Sequence, residues 1–271
     1  MGRKGDVGVL RLRGALGVKF LKRDVAMPLY DKIVILTGAG MSAESGLGTF
    51  RDKNGIWSQY NMDEVATPEG FLEDPQRSLD FYNVRRDLHA KAEPNKAHKA
   101  LARLEADYPG EVVIVTQNID HLHEVAGSQR VIHMHGRVDR ARCISCDHVY
   151  DISHGRLSDD SQCPSCQCQG QQRPDVVWFG EMPYHMDEIQ DEVTSCFLFL
   201  SIGTSGSVYP AAGFVSLARK SGAHTVELNL EPSEGVIKFH EAHHGKATDI
   251  VPMYVDRLMH EAAIARKEVV H

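Results

Sequence analysis

Asp31-Lys-Ile-Val-Ile-Leu36, running on into Thr37-Gly-Ala-Gly40-Met-Ser-Ala43, is the stretch whose reading decides the fold class. The first half is a short apolar run, rich in β-branched residues and closed by a glycine turn. It reads as a buried strand. The second half fits the loose pattern G-x-G-x-x-A over Gly38, Gly40 and Ala43. In that pattern the glycines let the backbone approach a diphosphate, and the helix that follows offers free N–H groups. A tight packing turn would carry the same residues. No Gly-Lys-Ser/Thr follows, so this is not a P-loop. The acidic residue that ends the second strand of an ordinary dinucleotide fold is not evident either.

Working outward, three similar runs appear. Val112–Val115 ends at Thr116-Gln-Asn-Ile-Asp120, Phe197–Ile202 ends at Gly203-Thr-Ser205, and Thr225–Leu228 ends at Asn229-Leu-Glu231. Val131-Ile132 is a shorter candidate. Helical periodicity separates them over Asn95–Leu104, Ala211–Arg219 and Val251–Ile264. Strand alternating with helix predicts an α/β fold, a Rossmann-like parallel sheet covered on both faces. Ligands then bind at the carboxyl ends of the strands, where this sequence places its small and polar residues. Residues ~49–94, rich in charge and aromatics, read as a helical insertion, and ~137–177 carry the cysteines. Together they predict a smaller module on a catalytic unit of 31–271.

Composition is that of an ordinary soluble globular chain: 271 residues, 42% hydrophobic and 25% charged. The net charge of -7 is uneven. Residues 1–30 hold seven basic residues against Asp6 and Asp24, an arm of +5 on a remainder of -12. Such an arm can contact an anionic partner, or be a poorly ordered solvated terminus. Met27 offers an alternative start. No run is long enough to span a membrane, and no secretory or myristoylation signal is present, so a cytoplasmic protein is expected.

Cys143-Ile-Ser-Cys146 and Cys163-Pro-Ser-Cys166 are C-x-x-C pairs separated by sixteen residues. Each pair aims two thiolates at one tetrahedral ion, which predicts a zinc site. With all four positions filled by sulfur the zinc is structural, although Cys168 could compete as a ligand. The surrounding segment carries Asp139, Asp147, Asp151, Asp159 and Asp160, too acidic for a nucleic-acid-binding ribbon. His133 and His135 flank Met134. Alone, they could be a metal pair or satisfied core histidines.

The extended string Gly38–Gly46, Thr49-Phe-Arg-Asp52 and Gly55-Ile-Trp57 resembles the signature of the sirtuin family. So do Thr116–Asp120, His135-Gly136, Gly203–Ser205 and Asn229–Glu231, in the same order, over about residues 31–260. The resemblance implies an NAD-dependent protein-lysine deacylase. Gly38, Ala39, Gly40, Ser42, Glu44, Thr49, Phe50, Arg51 and Trp57 would then line the NAD diphosphate and ribose. Gln117, Asn118, Ile119 and Asp120 would hold the ribose and nicotinamide, with Asn118 and His135 as catalytic residues. Gly203, Thr204, Ser205, Asn229, Leu230, Glu231 and Ala247 would hold the adenosine half. The implied reaction consumes NAD as cosubstrate. The acyl oxygen attacks the nicotinamide ribose and nicotinamide leaves, His135 removes a ribose hydroxyl proton, the 2′-oxygen attacks the imidate, and water completes release of lysine and O-acyl-ADP-ribose.

Tyr82 and Arg85 in Asp80–Arg86 are spaced i, i+3 on a predicted helix. In isolation they are a bland surface pair. By position they resemble the tyrosine–arginine pair of the deacylase class that accepts acidic acyl groups. This implies removal of succinyl as well as acetyl groups, with Arg85 forking onto the succinyl carboxylate. Val177, Trp178, Phe179 and Gly180 resemble the substrate-binding strand, which would pair with the peptide backbone. Partners are then acylated-lysine proteins, among them metabolic enzymes such as acyl-CoA synthetases. Mono-ADP-ribosyl transfer and a non-catalytic NAD-sensing or zinc-ribbon module are the rival readings.

Overall fold

The computed structural model describes residues 30–49 and 60–269, with side chains to residue 266. The arm before Tyr30 and the positions Phe50, Arg51 and Trp57 lie outside the described residues. In chain order the large sheet takes β1 (Lys32–Thr37), β2 (Glu111–Thr116) and β3 (Val131–His133), and the small sheet takes β4 (Gly136–Cys143), β5 (Val149–Asp151) and β6 (Gln172–Val176). β7 (Leu198–Ile202), β8 (His224–Asn229) and β9 (Glu241–His244) complete the large sheet. Helices α1 (Ala39–Ser42), α2 (Met62–Val65), α3 (Pro68–Glu73), α4 (Pro75–His89), α5 (Lys96–Asp107) and α6 (Leu122–Ala126) precede β3. α7 (Met186–Ser195), α8 (Phe214–Lys220) and α9 (Ala247–Val269) follow β6.

The large sheet has the order β3-β2-β1-β7-β8-β9 with every pair parallel. Strand alternation explains the apolar runs. Ile33 and Ile35 point into a core shared with α5 and α9, while Val34 and Leu36 point into one shared with α7 and α8. The chain winds outward in both directions from β1, so the strand order reverses between β1 and β7. A crevice at the carboxyl ends opens at such a reversal. The fold is the Rossmann-like α/β sheet that the sequence predicts. No helix among the described residues is long and apolar enough to cross a membrane.

The smaller lobe combines α2–α4 with an antiparallel sheet of order β5-β4-β6. Its core holds Val65, Phe71, Phe81, Tyr82, Val138 and Trp178. α4 starts cleanly because Asp74 accepts from Arg77 N at 3.1 Å and Pro75 occupies the first turn, where its missing N–H costs nothing. Arg86 ties α4 to the cysteine segment through Val138 O at 2.9 Å and Gly155 O at 3.2 Å.

Two helices depart from the sequence reading. α9 begins four residues before the expected Val251, because the Glu44 carboxylate accepts from Thr248 N (3.1 Å) and Oγ1 (2.9 Å) at its first turn. Pro252 sits inside it and does not stop it. The helix expected from Ala211 starts as a 3₁₀ turn, Ala211–Gly213, before becoming α8.

Candidate functional site

Glycine at positions 38, 40 and 203 is required by a close backbone approach. A Cβ on Gly38 would lie 2.8 Å from Gly203 O, and one on Gly40 2.8 Å from Gly203 Cα. The approach is sealed by Gly38 N–Ile202 O (3.0 Å) and Gly40 N–Gly203 O (2.8 Å). The turn therefore clamps the ends of β1 and β7 together as well as facing the crevice. α1 is one turn long, so the helix dipole anticipated from the sequence is small. Met41 N is bonded to Gly38 O, whereas Ala39 N–H has no partner among the described residues.

Behind this turn lies a polar network from the end of β2. Asn118 Nδ2 donates to Gly38 O and Ser42 Oγ, each at 3.1 Å, and Ser42 Oγ donates to Asp120 Oδ2 at 2.9 Å. Gln117 Nε2 reaches Thr204 Oγ1 at 3.1 Å, and Asn229 Nδ2 reaches Thr204 O at 2.8 Å. Gln117, Asn118, Asp120, Gly203, Thr204 and Asn229 thus converge on the crevice. Asp120 is buried, which pushes its carboxyl pKa up. Hydrogen bonds from Leu122 N and Ser42 pull the other way. Ile119 is buried in the small-lobe core. Ser205 bonds to Ser207 Oγ at 2.7 Å, and Leu230 is exposed, as is Glu231. Glu44, expected on NAD, is engaged at the start of α9, where Ala247 also lies.

The sequence reading missed the layer beneath. Thr37 Oγ1 bonds to Thr116 Oγ1 (2.9 Å) and His123 Nε2 (3.1 Å), and Ser42 Oγ lies 3.4 Å from His98 Nε2. Burial drops the His98 pKa to about 4 and that of His123 to about 3, so both are neutral. His98 Nδ1 also accepts from Asn95 N in a capping box, and a histidine three residues after an Asn N-cap was the available signal.

His135 sits where the chain crosses from β3 to β4, between the two lobes. The crossing needs Gly136: its φ is +73°, and a Cβ there would lie 2.1 Å from Asp175 O. His135 Nδ1 lies 2.9 Å from Gln117 O, and a carbonyl can only accept, so Nδ1 carries the proton. Nε2 is then a bare acceptor with no partner among the described residues. Burial lowers the pKa of His135, which favours this neutral form, while the Gln117 carbonyl opposes the shift. His133 turns elsewhere, to Glu124 at 2.7 Å. Burial raises the Glu124 pKa, but His133 and Arg137 outweigh it and hold the carboxyl at about 2.

On α4, Tyr82 and Arg85 are both buried. Burial pushes the Tyr82 phenol to about 12 despite Arg85 nearby, and lowers Arg85 to about 10 despite Tyr82 and Asp120. Val177–Gly180 is not a strand. Val177 N donates to His135 O (3.0 Å), Trp178 N to Glu181 (2.8 Å) and Phe179 N to Ala66 O (3.0 Å). A peptide strand added here would meet the carbonyls of Val177 and Phe179 and the N–H of Gly180, which lack partners among the described residues. Trp178, expected on substrate, faces inward. Its ring packs 5.1 Å from Phe71 and 6.5 Å from Tyr82, under the Arg173 guanidinium at 3.4 Å. Alternation along the segment leaves Phe179 outside, 53% exposed.

The sulfurs of Cys143, Cys146, Cys163 and Cys166 all lie within 4.8 Å of one another. Cys143–Cys166 is 3.6 Å and Cys146–Cys163 is 3.8 Å. A tetrahedral zinc with Zn–S of about 2.3 Å sets sulfur–sulfur edges of about 3.8 Å, so the residues fit that ion. Cys168 lies outside this group. Its carbonyl instead closes the knuckle by accepting from Cys163 N at 3.0 Å.

Comparison with known proteins agrees with this geometry. The Sir2 family model matches residues 38–210. An NAD-dependent protein deacylase of Caulobacter vibrioides is 54% identical over 231 residues, covering 84% of this chain and 97% of its own. One from Vibrio vulnificus is 52% identical over 232 residues, covering 85% and 94%. A solved Sir2 homologue in complex with NAD superposes with a TM-score of 0.79 at 35% identity, covering 86% of this chain and 91% of that one. With matches that run through the glycine turn, the histidine crossing and most of both lobes, the chain belongs to the Sir2 family.

Proposed function

We propose that this Sir2-family chain is an NAD-dependent protein-lysine deacylase that removes succinyl as well as acetyl groups. The observation that carries the chemistry is His135 Nε2, held as a bare acceptor by the Nδ1–Gln117 carbonyl bond at the mouth of the β1/β7 crevice. NAD, when bound, supplies a ribose carbon activated by its cationic nicotinamide leaving group. The chain does the rest. The Ala39 amide and Thr204 would hold the phosphates and adenosine ribose. Gln117, Asn118 and Asp120, braced by Ser42 and Thr204, orient the nicotinamide end through directed hydrogen bonds. His135 Nε2 takes a proton from a ribose hydroxyl. The four thiolates would hold one structural zinc that cross-links the small lobe.

Tyr82 and Arg85 support the acidic-acyl reading, because a buried guanidinium offers a succinyl carboxylate a bidentate, charge-assisted clamp. The unit that carries this function is 31–271, with the small module drawn from ~49–94 and ~137–177 and the basic arm 1–30 outside it. Its substrates are acylated-lysine proteins, with metabolic enzymes such as acyl-CoA synthetases as candidates, in the cytoplasm.

The test is incubation with NAD and succinyl- or acetyl-lysine peptide. Free lysine with stoichiometric nicotinamide is expected. Labelled protein would point to ADP-ribosyl transfer, and absent nicotinamide release to a sensor. In Arg85→Met the succinyl-to-acetyl ratio of kcat/KM should fall by one to two orders of magnitude, roughly the weight of a charge-assisted hydrogen bond. An equal fall in both activities would remove the clamp.

A further inference from the structure

Tyr82, Arg85 and His89 follow one another at i, i+3 and i+7 on α4, so they share one face of the helix. His89 is 8% exposed, and its Nδ1 is buried with no hydrogen-bond partner among the described residues. A buried polar atom left without a partner costs free energy, and at the end of a cation-lined face it marks a place where a ligand group belongs. The titratable groups that face His89 are Arg85 and Arg86 from its own helix and His121 from the turn after Asp120. His121 is itself turned toward Asp139, with Nδ1 3.5 Å from Oδ2. Arg137 holds that aspartate with two hydrogen bonds, at 2.9 and 2.6 Å. Arg86 is tied to Val138 O and Gly155 O. The Asp139 carboxylate is thus already engaged by Arg137, while Arg85 and Arg86 place positive charge beside His89.

We propose that His89 is a second specificity residue for acidic acyl groups, donating its Nδ1–H to the distal carboxylate that Arg85 grips. This rests on the reading of the Tyr82–Arg85 face as the acyl pocket. A carboxylate has about four lone-pair sites, of which an Arg fork fills two, so a further donor is useful. Burial, together with the Arg85 and Arg86 cations, keeps the imidazole neutral. A neutral imidazole can still place its single proton on Nδ1, and a carboxylate can only accept it. An acetyl group has nothing at that depth to receive the bond, so His89 acts on selectivity.

The test measures kcat and KM for succinyl- and acetyl-lysine versions of one peptide, with full-length wild type, His89→Leu, His89→Asn and Arg85→Met. His89→Leu removes an orphan polar atom from a buried position, which folding tolerates. It should lower the succinyl-to-acetyl ratio about tenfold, mainly through KM for the succinyl peptide. His89→Asn carries an amide N–H near the Nδ1 position and should recover most of the ratio. If Arg85→Met lowers the ratio but His89→Leu does not, the inference fails and the pocket reading stands. An equal fall in His89→Leu and His89→Asn would reduce the imidazole to a packing element and overturn the donor role. If Arg85→Met leaves the ratio unchanged, the pocket reading fails and His89 falls with it.

Discussion

At the carboxyl ends of β1, β2 and β7 most polar groups are held by another polar group of the same chain, whereas the inner face of α4 buries a guanidinium, Arg85, among aromatic rings. Asn118, Ser42, Asp120, Thr37, Thr116, His98 and His123 form one continuous set of hydrogen bonds, matched except at the buried Nδ1 of His123. Tyr82 packs edge-on to Phe81, Arg85 lies over both rings, and His89 is buried one turn further along the helix. A saturated network is rigid and suits a ligand that is always the same. A face with buried charge is selective, because it rejects any group that fails to match it. In the proposed function, cosubstrate chemistry belongs to the sheet and acyl choice to the lobe.

The harshest way to break this comparison is to remove the metal that holds the lobe together. Cys163→Ser, or chelation of the zinc, should unfold the cysteine segment and abolish activity, because free energy of metal binding is folding free energy in such sites. The parallel sheet should retain its far-UV signal and its capacity for NAD. Loss of both together would show that the lobes fold as one. Next comes His135→Tyr, which should lower deacylation by roughly 10² to 10⁴ fold while NAD binding persists. Wild-type activity in that variant would remove the central assignment. The depressed pKa of His135 also places the acid limb of kcat/KM below pH 6.5, since the base must be neutral to work. A limb above pH 6.5 would contradict the burial argument.

What the sequence made legible was whatever lies in contiguous blocks. The strand and turn at Asp31–Ala43, the Thr116–Asp120 string and the four cysteines each carry spacing that a ligand or a sheet dictates locally. The unread parts come from contacts between distant segments. His98 looks like one more position on an amphipathic helix, and nothing local shows that Ser42, 56 residues away, receives it. Trp178 sits in a run that reads as a solvent-facing groove. It turns inward because Phe71, Tyr82 and Arg173 build a slot for its ring. The N–H groups of Val177 to Phe179 are engaged by His135, Glu181 and Ala66, partners that no strand pattern reveals.

An acid titration of stability, read as the difference between wild type and a His123 variant, probes the sheet-end network. His98 and His123 have folded pKa values of about 4 and about 3, below the 6.5 of a free imidazole. The unfolded chain therefore binds protons that the folded one refuses. The stability these histidines contribute is complete above pH 6.5 and is lost progressively as the pH falls toward 4 and then 3. By pH 5 the loss should be on the order of 2 kcal/mol for each. The urea midpoint of wild type, compared at pH 7 and pH 5, reads it, and His123→Asn should shrink the difference by about 2 kcal/mol, its own share. A midpoint that stays constant over that range would mean the pair is hydrated or charged in the folded chain.

The smallest effect separates two roles for one carboxylate. Glu44 stands in the glycine-turn string, so its sequence position argues for NAD. Its oxygens, however, cap α9 through Thr248, across 204 residues of chain. A cap of this kind contributes about 1 kcal/mol, and the negative charge adds to it at a helix start. Glu44→Ala should therefore lower stability by about that amount while KM for NAD stays within about twofold, as expected of a group outside the binding contacts. Glu44→Gln, which keeps an acceptor and loses the charge, should fall between. A rise in KM for NAD without a loss of stability would return Glu44 to the cosubstrate pocket. The saturated network at the sheet ends would then have one more free member than the hydrogen bonds describe.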